Sequence, residues 1–371
     1  MNCPELPELI EKSNDEVQIN SQINELKRIL GERKIRIMEF CGGHTHSFFN
    51  TGLVSLIENC VELVHGPGCP VCVLPPSRVA MLLDLIERRD DVIVATYADM
   101  MRIKTLDGRS LKNFHHKTKM VYSALECVKL AQENPSKEIV FAGIGFETTT
   151  PPTALLLKKI IDNEIHNLSI FCNHVLTAPA IRAVMQSLDE EMRPDGIIGP
   201  GHVSMVTGSE HYLPIVEEIK RPIAIAGFEP YQLMQSLLSL ASMIVKSKVG
   251  LSNDYSSVVS TEGNKSARDL IDMYFELREE FVWRGVGSLP ESALKIKKEF
   301  SKFDAEIRFE MNDVHQAEHP ACRCPAILMG KAKPLDCKLY AKACTPDNPL
   351  GTCMVSSEGA CSAYYNNGIG L

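Results

Sequence analysis

No stretch of this sequence approaches the roughly 18 consecutive apolar residues that a membrane-spanning helix needs, so no membrane association is expected. The opening residues MNCPELPELIEK contain neither a basic segment nor an apolar core, and a secretory leader is not expected. Positive charge is scarce: 39 Lys and Arg stand against 47 Asp and Glu, a net charge of −8. Nucleic-acid binding, which needs a basic footprint, is therefore not expected. There is no GxxxxGK(S/T) loop and no dinucleotide fingerprint, so nothing calls for ATP or NAD. The expected location is cytoplasmic.

Cysteine, by contrast, is plentiful, with 13 in 371 residues. Structural disulfides do not persist in a reducing cytoplasm, which leaves metal binding or thiol redox chemistry as the use for so much sulfur. Six of these cysteines lie in the last fifty residues: Cys322, Cys324, Cys337, Cys344, Cys353 and Cys361. Paired CxxC knuckles, the usual mark of structural zinc, are missing from that tail. Its Cys-x-Cys start and long gaps suit a [4Fe–4S] cluster wrapped by an irregular loop. Cys322, Cys324, Cys337 and Cys344 are the expected cluster ligands, with Cys353 and Cys361 left over as a candidate redox disulfide. Cys3, Cys60, Cys127 and Cys172 fall outside any motif and are read as non-functional.

The rest of the chain alternates short apolar runs with helical patterns, the signature of an α/β protein with parallel strands. Residues 1–33 read as a helix with a buried stripe of Ile19, Ile23, Leu26 and Leu30 and a capping-box pattern at Ser13 and Glu16. Strands are expected at 35–40, 61–64, 92–96, 139–142, 168–172, 196–198 and 222–226, most of them ending in a loop of Gly, Pro, His, Cys or Glu. Two related α/β domains follow from this, over 34–136 and 137–260, with loop-bearing edges facing a shared cleft. Beyond residue 260 the strands are expected to stop. Helices over 267–281 and 292–303 then lead into the cysteine-rich tail, making 261–371 a small C-terminal iron–sulfur domain. The tail shows little periodicity, and a cluster would stand in for a core there.

Chemistry concentrates in the loops. Cys69-Pro-Val-Cys72 is a C-x-x-C on a strand-to-helix turn, suited to a reversible disulfide or a two-thiolate clamp on a metal. CGGHTH (41–46) places Cys41, His44 and His46 behind a strand end. Cys41 is a third soft ligand candidate, and His44 can ligate, orient or move protons. Glu147 in GFETT and Glu229 in GFEP are each either a general acid/base or a helix-capping carboxylate. His174 and His202 occupy similar loops and read as scaffold; His115 and His116 read as surface.

Taken together, CGGHTH (41–46), GPGCPVC (66–72), GFETT (145–149), GPGHVS (199–204), GFEP (227–230) and the cysteine-rich tail resemble the HypD family of hydrogenase maturation proteins. The resemblance spans nearly the whole chain in order. It implies two α/β domains and a third carrying a [4Fe–4S] cluster in surroundings similar to ferredoxin:thioredoxin reductase. It also implies a complex with a small HypC-type chaperone and a role in building the Fe(CN)2CO unit of [NiFe] hydrogenases, with the hydrogenase large subunit as indirect partner. Cyanide would come from a thiocyanate carried by a HypE-type donor. Carried onto this sequence, Cys41 is the iron-associated thiol and Cys69 and Cys72 its companions. The expected catalytic set is then Cys41, Cys69, Cys72, His44 and Glu147. The alternatives are a cluster-dependent thiol–disulfide oxidoreductase, which would turn over a protein disulfide, and a structural zinc protein.

Overall fold

A computed structural model describes residues 5–314 and 316–370; Cys3 lies outside them. Nine strands, numbered in chain order, build two parallel sheets. Ile35–Glu39 (β1), Val61–His65 (β2), Val92–Thr96 (β3), Thr118–Met120 (β4), Glu138–Gly145 (β5), Leu168–His174 (β6), Gly196–Gly199 (β7), Ile223–Ile225 (β8) and Leu251–Asn253 (β9) are their members. The first sheet has the order β2-β1-β7-β8-β9 and the second β4-β3-β5-β6. Both carry helices on their two faces, which is why these strands read as continuous apolar runs.

The α/β class with parallel sheets is as expected, but the strands are not shared out at residue 136. The chain leaves the first sheet after β2, builds the second sheet from β3 to β6, and returns for β7–β9. A boundary at 136/137 cuts the second sheet between β4 and β5, although β3 and β5 pair from Val92↔Glu138 to Thr96↔Ala142. Periodicity marks where strands lie and carries no information about which neighbour each chooses. The strand β3 is buried along its whole length, so it takes a central position wherever apolar partners cover it.

The N-terminal helix, Glu5–Leu30, starts well before Ser13, so the expected capping box falls inside it. Ile23, Leu26 and Leu30 are buried against Leu233, Leu237 and Leu240 of the helix Pro230–Val245, on one face of the first sheet. The helices Thr177–Ser187 and Leu213–Ile219 cover the other face with Ile181, Val184 and Ile215.

Past residue 260 strands do occur, contrary to expectation. The helix Lys265–Tyr274 gives way to Phe275–Leu277 (β10), Glu280–Trp283 (β11), Gly287–Pro290 (β12) and Leu294–Ile296 (β13). These form two antiparallel pairs, β10 with β13 and β11 with β12. In β11 the burial alternates, Phe281 and Trp283 inward and Glu280 and Val282 outward, which is a period of two. The helical stripe expected through Phe275 and Phe281 overlooked that alternation. The second expected helix resolves into β13 and a short 3-10 turn, Lys298–Phe303. The cysteine-rich tail is irregular as expected, yet Ile327, Leu328, Met354 and Val355 are buried with Val71, Val73 and Leu82, so it does share a core.

A buried ion network fastens this region to the second sheet. Arg78 donates to Glu306 through Nη1 (3.0 Å) and Nη2 (2.7 Å) and to Asn173 Oδ1 (2.6 Å), while stacking on Phe171 at 4.0 Å. Arg278 donates to the same carboxylate. Burial pushes the Glu306 carboxyl up, but the Arg78 and Arg278 guanidiniums outweigh that and hold it at about 2. Glu306→Ala leaves two guanidiniums short of their partner and is expected to cost about 3–5 kcal/mol, read by urea unfolding. A carboxyl held low in the fold stabilises fully above its unfolded value of about 4.3. That contribution drains away as the pH falls toward 2. Asp304 works in the opposite sense, pushed up to about 6 by burial and by Glu306's charge. Because Glu306's charge contributes to the Asp304 shift, the acid loss due to Glu306 is read as the Asp304→Asn curve minus that of the Asp304→Asn, Glu306→Gln double variant.

Candidate thiol centre at the edge of the first sheet

The loops following β2, β1, β7 and β8 leave the carboxyl ends of four adjacent strands, the edge where open α/β sheets bind ligands. They carry GPGCPVC, CGGHTH, GPGHVS and GFEP. The fold thus brings together four of the five loop motifs; GFETT follows β5 in the other sheet.

Glycine permits the closest approaches. A Cβ on Gly68 would stand 2.4 Å from the Phe40 carbonyl carbon and 2.5 Å from the Cys41 nitrogen, so the two thiol loops touch backbone to backbone. A Cβ on Gly42 would stand 2.2 Å from Glu358 Cβ, which brings the C-terminal tail against the Cys41 loop. Three distant segments converge here only because these side chains are absent.

Cys69 and Cys72 form a disulfide with a Cα–Cα distance of 5.2 Å. Cys69 caps the short helix Pro70–Val73, its Sγ accepting from the Cys72 N–H at 3.2 Å. Cys41 is a buried thiol at the start of the helix Gly42–Asn50. Burial, then the Glu358 and Glu39 carboxylates, push it up to about 12, against the pull of the His44 and Gly43 backbone N–H groups. At neutral pH it holds its proton, and a bound metal ion would have to displace it.

Sequence reasoning missed the group beneath this thiol. Glu39, 2 % exposed, accepts from the Cys41 N–H (2.9 Å), from Thr45 Oγ1 and from His65 Nδ1 (2.8 Å). His65 Nε2 is buried without a partner. The available signal was a charged or polar last residue on each of two apolar strands, IRIME and VELVH.

His44 is fully buried, and its Nε2 donates to the Ala226 carbonyl at 3.1 Å, leaving Nδ1 unprotonated and without a partner. Burial brings it down to about 4, so it is neutral. Phe228 of the GFEP loop lies 4.7 Å from the His44 ring and 4.0 Å from His202, an aromatic stack beside Cys41. Glu147 accepts from the Thr177 N–H (2.8 Å) and Oγ1 (3.0 Å), so its hydrogen bonds are those of a carboxylate at a helix start. Burial raises its pKa, and it lines a cavity of about 620 Å³ with Leu176, Arg182 and Ile271. Glu229 caps the helix Pro230–Val245, its N–H accepted by Gln232 Oε1 at 3.2 Å. His174 is buried and bonded to Thr153 Oγ1 at 2.8 Å.

The six tail cysteines all lie in or against one core. Cys324 sits among Cys322, Cys353 and Cys361, and its backbone N–H donates to Cys322 Sγ at 3.5 Å. Cys337 Sγ lies 3.9 Å from the Ala321 carbonyl, and Cys344 Sγ accepts from the Leu350 N–H at 3.3 Å. The expected division into four ligands and a spare pair is not drawn by this packing, since Cys353 and Cys361 both sit with Cys324. The hydrogen bond from Cys324 lowers Cys322 to about 7, while Cys324, Cys353 and Cys361 are pushed up. Among the described residues no three Cys, His, Asp or Glu are spaced to hold a metal ion as the side chains stand. The donor chemistry nonetheless fits a soft metal group: six thiols, apolar neighbours, and room at Gly351, where a Cβ would stand 2.6 Å from both Cys322 and Cys324 sulfurs.

The two thiol centres are adjacent. Thr352, next to Cys353, donates from Oγ1 to the Cys72 carbonyl (3.0 Å), and Cys72 Sγ lies 3.8 Å from the Thr352 carbonyl. Among the described residues no helix is long and apolar enough to cross a membrane.

Comparison with known proteins points to one family. A family model described as HypD, hydrogenase formation hypA family, matches residues 16–368. Over 342 residues the chain is 48% identical to the hydrogenase expression/formation protein HupD of Azotobacter chroococcum, covering 91% of this chain and 90% of that protein. It is 47% identical over 343 residues to the hydrogenase maturation factor HypD of Azotobacter vinelandii, with 91% and 90% covered. With the HypD of Escherichia coli the figures are 39% over 336 residues, covering 90% and 89%.

Proposed function

The chain belongs to the HypD family of hydrogenase maturation factors, and on that premise we propose that it is a redox-active scaffold for assembling the hydrogenase Fe(CN)2CO unit. The observation that carries the reading is the bridge from Thr352 to Cys72, which puts the C-terminal thiols one residue from the Cys69–Cys72 disulfide.

Iron is the cargo. Low-spin iron with cyanide and CO ligands is soft and electron-rich, and thiolates suit it. Cys41, Cys69 and Cys72 would hold it at the sheet edge, where Gly68 lets their loops meet. Cys69 and Cys72 are available only once their disulfide has taken two electrons and two protons to become two thiols. A [4Fe–4S] cluster on ligands drawn from Cys322, Cys324, Cys337, Cys344, Cys353 and Cys361 would supply such electrons singly. The chain's own part is positional: Thr352 fixes Cys72 against the tail, and Glu39 fixes the Cys41 backbone through its amide. Burial keeps Cys41 a neutral thiol until a cation replaces its proton. His44, held neutral by burial and oriented by the Ala226 carbonyl, keeps the Phe228 side of the site apolar. Glu147, on the second sheet and engaged by Thr177, has no part in holding the iron. A HypC-type chaperone and a HypE-type cyanide donor would meet the scaffold at this edge, in the cytoplasm.

The disulfide beside a thiol cluster also favours a second reading, a thiol–disulfide oxidoreductase acting on a protein substrate. Anaerobic purification followed by infrared and Mössbauer spectroscopy separates the two. Scaffold function predicts cyanide and CO stretching bands and iron beyond that of one cluster per chain. Cluster iron alone, together with catalytic turnover of a disulfide substrate, would select the oxidoreductase.

A further inference from the structure

We infer that Arg284 is a positioning residue that couples the Cys69–Cys72 loop to the C-terminal thiols and places a fixed positive charge beside the metal group they hold; its electrostatic half rests on the cluster proposed above. Arg284 occupies the tight turn between β11 and β12 and is only 6 % exposed. Burying a guanidinium is costly unless its donors are used. Here Nη1 donates to Thr352 Oγ1 at 2.7 Å, and the backbone N–H donates to the Val73 carbonyl at 2.8 Å. Nε lies 3.3 Å from Glu318 Oε1 without forming a hydrogen bond and has no other partner.

The Thr352 hydroxyl therefore accepts from Arg284 and donates onward to the Cys72 carbonyl at 3.0 Å, using both of its capacities in one chain of hydrogen bonds. The last two residues of the C-x-x-C helix segment, Cys72 and Val73, are thus tied to one arginine. The adjoining Gly285 has φ +79°, and a Cβ on it would stand 2.6 Å from Pro325 Cα. That contact wedges the turn against the residue following Cys324. Arg284 and Cys322 also share the wall of a cavity of about 60 Å³.

A metal group held by thiolates gains negative charge when it is reduced. A buried cation nearby favours that reduced state and moves the midpoint potential upward, because screening is weak away from water. A surface ion pair with Glu318 alone would have neither consequence.

The test uses the full-length chain purified without oxygen, as wild type, Arg284→Lys, Arg284→Gln and Thr352→Val. Potentiometry followed by electron paramagnetic resonance reads the midpoint of the iron–sulfur signal. Alkylation and mass spectrometry read how fast dithiothreitol opens the Cys69–Cys72 disulfide. In Arg284→Gln the midpoint is expected to move negative with iron content unchanged, while Arg284→Lys stays near wild type. Arg284→Gln and Thr352→Val are both expected to open the disulfide about five-fold faster, the effect of losing one hydrogen bond. An unmoved midpoint in Arg284→Gln at full iron content overturns the electrostatic role. Wild-type opening rates in both variants overturn the positioning role. Should Arg284→Gln fail to fold, Thr352→Val decides the positioning role, and an Arg284→Lys midpoint clearly negative of wild type at full iron content overturns the charge argument. A wild-type chain without iron overturns the cluster reading and the electrostatic role with it, while the opening rates still judge the positioning role.

Discussion

Replacing Cys41 with alanine is expected to bring hydrogenase maturation to background while leaving the protein folded. The sulfur is buried, but it closes no core: it sits at the first turn of the helix Gly42–Asn50, held by backbone and by Glu39 rather than by apolar packing around it. Removing one buried sulfur should cost roughly 1 kcal/mol, the ordinary size of a small truncation, and the thermal midpoint should fall by a few degrees at most. The chemical loss is of another order, because no other thiol in the Gly42–Asn50 loop region can replace it. Cys41→Ser makes the sharper comparison. It keeps the volume and a hydrogen-bonding atom but offers a hard oxygen where soft iron needs sulfur, so it should fail as completely as alanine. Complementation of a maturation-deficient host, scored by hydrogenase activity and by circular dichroism of the purified variants, checks both. Normal activity in either variant removes Cys41 from the site.

The thiol loops could be read from the sequence because parallel strands buried on both faces appear as apolar runs, and the runs before these loops end abruptly in glycine, cysteine or histidine. Cys41, Cys69 and Cys72 stood out for that reason, and their convergence at one sheet edge follows from β1 and β2 being neighbours. What stayed hidden was everything that depends on pairing at long range. Thr352 meets Cys72 across 280 residues, and Arg284 meets Val73 from far along the chain as well. No local pattern marks either. Glu39 and His65 are 26 residues apart and looked like the polar ends of two unrelated strands until β1 and β2 aligned them, Glu39 opposite His65. Glu147 shows the reverse case. Its loop resembled the others, but β5 belongs to the second sheet, and its carboxylate is engaged by Thr177. The tail cysteines were illegible for a further reason: spacing along an irregular chain says nothing about which sulfurs face one another, and Cys324 sits with Cys353 and Cys361.

Within that tail, Cys337→Ala is expected to strip colour and iron from the protein. Cys337 is buried beside the Ala321 carbonyl, one residue from Cys322, and follows a short turn, Pro334–Asp336, that fixes its direction. Even partners that only orient a ligand commonly cost about 10–100-fold in metal affinity, and loss of a ligand itself should exceed that. Because the binding free energy of a resident metal group is also folding free energy, the variant should unfold earlier as well as lose its absorbance near the visible edge. The damage should be local. The first sheet, with its cores of Ile37, Leu63, Leu237 and Ile198, does not depend on the tail sulfurs, whereas Val71, Val73 and Leu82 share a core with Ile327 and Met354. Hydrogen exchange should therefore rise in residues 322–366 and in the Pro70–Arg88 region while β1, β2, β7 and β8 stay protected. Cys60→Ala and Cys127→Ala, buried cysteines outside this cluster, serve as controls and should keep both iron and colour. If Cys337→Ala retained full iron content, the cluster would have to be held by the remaining five tail thiols, and the group around Cys324 would become the place to find its ligands.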